Sequence, residues 1–184
     1  MSAPIPRPRP ALLAGQLLFG TLLVACQPEK VSPALPPETT VGANQAGCLV
    51  DGNVLIPRNA WGRSGTSLAY RLGTTAASSN FSLGITDEKS QDSALLLIEA
   101  DSMVLEEGKT YPFSLSAHKG VAQGQYYSPD GQYRTQSPAS GTLTITWLDR
   151  QANLVAGRFE FVATDRTTGR QVRVTQGRFD YKSE

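Results

Sequence analysis

Short apolar runs, each punctuated by Gly, Asp, Asn or Ser, fill the chain from Ala46 onward. Runs of this kind, rich in Val, Thr, Leu, Phe and Tyr, predict strands and turns. The clearest is Gly141 to Asp149, where Leu143, Ile145 and Trp147 alternate with Thr142, Thr144 and Thr146. A period of two belongs to a half-buried strand and assigns the three apolar residues to one buried face. In Val155 to Ala163, Phe159 and Phe161 share a face with Gly157 and Ala163, while Arg158 and Glu160 take the other. In the last run Val172 and Val174 occupy even positions but Phe179 and Tyr181 odd ones, so one straight strand cannot bury all four. A β-bulge is expected at Gly177, between the two sets.

Upstream, Asp51-Gly52 lies between the apolar stretches Cys48-Leu49-Val50 and Val54-Leu55-Ile56. Both turn residues tolerate positive φ, which makes this a hairpin signal. Further strands are expected over Ser67 to Leu72, Asn80 to Thr86, Tyr111 to Ala117, and Gly124 to Thr135 with a break at Pro129-Asp130-Gly131. The run Ala94 to Ala100 has helix-friendly composition, but seven residues are short for a helix and it reads as a strand. Nothing repeats at a fixed period and no segment sustains helical periodicity. The prediction is an all-β domain of about nine short antiparallel strands with little or no helix. A β-sandwich and a β-barrel fit the pattern equally.

The amino terminus follows other rules. Arg7 and Arg9 precede an apolar stretch from Ala11 to Ala25, with no acid before it, which is the anatomy of an export signal. That stretch is interrupted by Gly15, Gln16 and Gly20 and falls short of the roughly 20 apolar residues of a spanning helix. Leu23-Val24-Ala25-Cys26 resembles the bacterial lipobox, in which a diacylglycerol is attached to the cysteine thiol and the chain is cut before it. Cys26 is thus the expected lipidation site, and the membrane the expected partner through that anchor. Gln27 stands where lipoproteins retained at the inner membrane resemble one another in carrying aspartate, so the outer membrane is favoured and the leaflet left open. Residues 27 to 43, with Pro28, Pro33, Pro36 and Pro37, read as a tether whose last few residues could pack along the domain. The division is an export signal at 1–25, a lipidated terminus and tether at 26–43, and an all-β domain at 44–184.

Charge and cysteine content then narrow the chemistry. Of 17 basic residues, loss of Arg7 and Arg9 leaves 15 against 16 acidic ones, a net charge of −1. Without a basic cluster the chain cannot neutralise a row of phosphates, so nucleic acid is not an expected partner. The chain has two cysteines. A thioether at Cys26 leaves Cys48 as a free thiol in an apolar run, where burial makes it inert.

Three stretches, GANQAGCLVDGNVLIPR, GQYRTQSPASGTLTITWLD and LVAGRFEFVATDRTTGRQVRVTQGRFDYK, resemble a family of small lipoproteins of Bacteroidota. Gly157, Phe159 and Phe161 match its Gly-x-Phe-x-Phe strand, and Gly177, Arg178, Phe179 and Asp180 its final strand. The resemblance implies an envelope lipoprotein with an all-β domain and carries over no activity. If the phylum holds, Asp92-Ser93-Ala94 and Asp101-Ser102-Met103 look like O-glycosylation sites at Ser93 and Ser102.

No catalytic motif is legible. The single histidine, His118, has no Gly-x-Ser-x-Gly elbow to serve, and Gly62 to Thr66 lacks the lysine of a phosphate loop. One histidine and one free cysteine do not make a zinc site, and Asp130 or Asp165 lies in no dense acidic loop for calcium. No metal or other cofactor is expected. A hydrolase with paired carboxylates, such as Glu160 and Asp180, is the weakest alternative, because strand alternation turns Glu160 to a solvated face. Binding is the more natural class: Tyr126, Tyr127 and Tyr133 surround the Pro-Asp-Gly turn, and with Trp61 they are candidate contacts to a glycan or an envelope protein. The competing expectation is that these aromatics are strand packing.

Overall fold

Turns decide which strands can pair. In the computed structural model, which describes residues 34–59, 65–71, 75, 79–89, 93–115 and 121–182, Asp51 and Gly52 have φ of +48° and +83°. This left-handed pair lets a two-residue hairpin follow the twist of its strands. It joins β1 (Gln45–Val50) to β2 (Asn53–Leu55), with Val50 opposite Asn53. Pro129 and Asp130 likewise join β7 (Ala122–Ser128) to β8 (Gly131–Arg134), with Ser128 opposite Gly131. The export segment 1–25, Cys26, Trp61 and His118 lie outside the described residues.

The other strands are β3 (Thr66–Arg71), β4 (Asn80–Asp87), β5 (Ala94–Asp101), β6 (Thr110–Pro112), β9 (Gly141–Asp149), β10 (Leu154–Asp165) and β11 (Gln171–Lys182). The ambiguous run Ala94 to Ala100 is β5, burying Ala94, Leu96, Ile98 and Ala100 and leaving alternate positions half-buried. The run expected from Tyr111 to Ala117 yields only β6 and a bridge at Phe113, and residues 116–120 lie outside the described ones. The described strands number eleven rather than about nine, and among the described residues there is no helix.

All belong to one antiparallel sheet that curls into a nearly closed barrel, deciding between the two architectures the pattern allowed. The order is β2-β1-β11-β10-β8-β7-β5-β4-β3. β10 branches: on one edge it pairs with β9 over Leu154 to Phe161 and then with β8 at Thr164 and Asp165, while β6 flanks β9. The ends of the sheet meet where the chain leaving β2 reaches β4: the Arg58 amide donates to the Thr86 carbonyl at 3.1 Å and the Glu88 amide to the Arg58 carbonyl at 2.8 Å.

Inward side chains fill the barrel. Phe113 meets Phe161 edge-on at 5.2 Å, Phe159 stacks near Phe161, and Phe81 packs on Phe179. The bulge expected in the last strand is present: Phe159 faces Gly177 but Phe161 faces Val174, so Thr175 and Gln176 together oppose Glu160. The extra residue turns Val172, Val174, Phe179 and Tyr181 all inward. Gly177 is required there, since a Cβ would lie 2.4 Å from the Phe159 ring. A second bulge overturns an expectation. Ala156 faces Trp147 but Gly157 faces Ile145, so Thr146 is the extra residue in β9. Leu143 and Ile145 are buried as the period predicts, whereas Trp147 is thrown outward and Leu148 takes the inward position.

Candidate functional site

At one end of the barrel the β1–β2, β7–β8 and β10–β11 turns converge with the β4–β5 edge around a cleft of about 270 Å³. Its wall holds Asp51, Asn53, Asp130 and Arg170, with Ser128 and the Arg58–Asp87 pair. Tyr126 and Tyr133 are cross-strand partners on the inward face of β7 and β8, and their rings lie 5.9 Å apart at 41° in this cleft. Tyr133, at 2% exposure, is the floor, while Tyr126 is half-buried. Tyr127 is not part of this group. Strand alternation sends it to the outer face, where its hydroxyl donates to Gln125 Oε1 and Gln125 Nε2 donates to Glu99 at 2.8 Å. The three tyrosines expected together are therefore divided by the pleat of β7, and Trp61, expected to join them, lies outside the described residues.

The cleft acids are engaged in holding the turns. Asp87 is 1% exposed and takes both Arg58 Nε, at 3.0 Å, and Nη2, at 2.5 Å, with the Lys89 amide adding a third donor at 3.1 Å. Donating to the Asp87 carboxylate raises the Arg58 guanidinium above its ordinary value against the cost of burial. Asp51 Oδ1 accepts the Arg173 amide at 2.8 Å, fastening the β1–β2 turn to β11. Beside the cleft, Asp165 accepts the amides of Thr168 and Thr167 at 2.8 Å and of Gln132 at 3.2 Å. Led by Thr168, these donors hold its carboxyl below the usual aspartate range. What the arrangement offers chemically is a half-buried tyrosine ring beside fixed hydrogen-bonding groups.

The opposite end is built differently. Residues Pro36 to Ala43 form a strap along the outer face of β10 and β11, so the end of the expected tether packs on the domain. Thr39 Oγ1 donates to Asp180 at 2.6 Å, and the amides of Val41, Gly42 and Ala43 donate to the same carboxylate at 3.0, 2.9 and 3.1 Å. Burial pushes the Asp180 carboxyl up, but the Thr39 hydroxyl and the three amides together outweigh it and leave it below the ordinary range. Glu38 pairs with Arg158 at 2.5 Å, and the Pro36 carbonyl accepts from Arg178 at 3.4 Å.

Other candidate residues fall apart in space. Asp180 faces Ala156 across the ladder and is sealed under the strap, while Glu160 is exposed farther along β10, so the two do not form a carboxylate pair. Cys48 is fully buried and burial drives its thiol far above the usual range. Ser93 is exposed just before β5, and Ser102 half-buried just after it with positive φ, so the two potential glycosylation sites stand at opposite ends of one strand. Asp130 and Asp165 join no cluster of three metal-ligating residues among the described ones. Sequence reasoning missed the Arg58–Asp87 pair and the Asp180 latch, because their partners lie 29 and about 140 positions apart. The chain matches no family model, no curated protein and no solved structure.

Proposed function

We propose that this protein is a lipid-anchored binding module of the bacterial cell envelope, held to the outer membrane through Cys26, with a glycan as the ligand of its turn-end cleft. The location rests on the resemblance of Leu23 to Cys26 to a lipobox and of the domain to Bacteroidota lipoproteins. The binding reading rests on one observation: a half-buried Tyr126 ring set over buried Tyr133 in a polar cleft of about 270 Å³. That volume is near the lower end of small-ligand sites, about 300 Å³. A tyrosine face stacks on the apolar face of a sugar ring, while Asn53, Ser128 and Asp130 supply hydrogen bonds to its hydroxyls.

Affinity electrophoresis through gels containing envelope and capsular polysaccharides tests the ligand. Tyr126→Ala should abolish the retardation of the wild-type protein while its circular dichroism remains that of the folded domain, whereas Tyr127→Ala should keep the retardation. Equal retardation of wild type and Tyr126→Ala in every gel would end the glycan reading. The anchor has its own test, since labelled palmitate should enter the wild-type protein and not Cys26→Ser.

A further inference from the structure

Two large apolar side chains are exposed among the described residues, Val41 at 72% and Trp147 at 43%. They stand on the same outer face, at the strap end. Trp147 pairs with Ala156, Ala156 pairs with Asp180, and Asp180 holds the Val41 amide. Two strand spacings, about 10 Å, separate Trp147 from Asp180, which holds the strap. Thr146, beside Trp147, lines one crevice with Pro37, Glu38 and Thr39, so strap and tryptophan share a continuous surface. Lys182, exposed and in contact with Gly42, adds a cation at its rim.

Chain length selects what covers this face. Ala34 lines one crevice with Ile56, Pro57 and Thr66, Leu35 and Pro36 flank Gly47, and Pro36 and Glu38 are pinned to Arg178 and Arg158, so seven residues, 27 to 33, separate Cys26 from the fastened segment. Fully extended they reach about 25 Å. A domain of this size is roughly 38 Å across, and half its girth is about 60 Å. A tether of that length cannot pass round the barrel to present the far side to the membrane.

We infer that the strap face, with Trp147 and Val41, rests against the headgroups of the membrane that holds Cys26. The inference builds on lipidation at Cys26 and adds an orientation to it. Tryptophan is at home in the headgroup layer, where its ring is apolar and its N–H stays wet. The cleft lies at the other end of β11, about ten residues or 33 Å away, and faces away from the bilayer.

The protein purified from its own membranes and reconstituted into phosphatidylethanolamine–phosphatidylglycerol vesicles tests this. The chain has two tryptophans, so Trp61→Phe leaves Trp147 as the reporter; should that variant not fold, Trp147→Phe gives the same signal by difference. Trp147 emission should shift to the blue relative to lipid-free protein, be quenched by acyl-chain bromines, and be shielded from iodide. Unshifted emission that iodide quenches fully would overturn the orientation. Mass spectrometry of the Cys26 peptide from the same sample separates the two readings. If Cys26 carries no lipid, the anchor reading fails, and the face is then tested alone by coupling Cys26 to a maleimide lipid, with the buried Cys48 thiol inert.

Discussion

The turn end and the strap end of the barrel are ordered by carboxylates that differ in how much of their order is local. At the turn end Asp165 binds amides two and three positions along the chain before it reaches that of Gln132, and Asp51-Gly52 bends through its own dihedral preference before Asp51 accepts the distant Arg173 amide. At the strap end Asp180 gathers four donors from residues 137 to 141 positions away. Local order of the first kind is favoured by the turn residues themselves. The second kind exists only once β11 has been laid down beside β1, and it then fixes the approach of the chain to the domain. The proposed binding cleft lies at the end whose turns are locally encoded, and the proposed attachment at the end that only long-range contacts hold.

The strongest challenge to this division is Tyr133→Ala. As the floor of the cleft it should cost about 4 kcal/mol in urea unfolding, whereas a small loss would make it a surface ligand group like Tyr126. Asp180→Ala should cost about 3 kcal/mol, because three amides and a hydroxyl lose a charged acceptor. Hydrogen exchange should then quicken at Val41, Gly42 and Ala43 and stay slow around Thr167 and Thr168. Acid provides a gentler version. The folded pKa of Asp180 is lowered, so its contribution is complete above the ordinary aspartate value, about 3.9, and fades as pH falls through the folded value. Asp165 shifts in the same direction, so acid unfolding monitored by circular dichroism should begin below about pH 4, and Asp180→Ala should flatten that dependence. Gly52→Ala, which forces a side chain into left-handed backbone, should cost about 1 kcal/mol and leave the strap amides protected. Trp147→Ala should move stability by no more than about 0.5 kcal/mol; a larger loss would mean that the ring is packed on Ala156 and unavailable to a membrane.

Much of the barrel was legible because strand signals are local. Alternation located β9, β10 and β11 to within a few residues, and the change of parity between Val174 and Phe179 announced the bulge before Gly177. Trp147 shows where the same reasoning stops. Nothing in Thr144-Ile145-Thr146-Trp147 marks Thr146 as an extra residue; the register of β10, set by its pairing with β11, forces it. The tyrosine trio failed for a related reason: proximity along the chain suggested one site, but adjacent positions in a strand point to opposite faces.

By itself, the sequence determined the all-β class, the two-residue turns, the inert burial of Cys48 and most strand positions, since each follows from a residue's own backbone preference or from a period of two. Tertiary structure alone decided that the sheet curls into a nearly closed barrel, that Tyr126 and Tyr133 share a cleft without Tyr127, that Trp147 faces out and that Asp180 captures the strap. Those outcomes depend on which distant strands become neighbours, and the free energy of a cross-strand register or a buried carboxylate belongs to both partners at once.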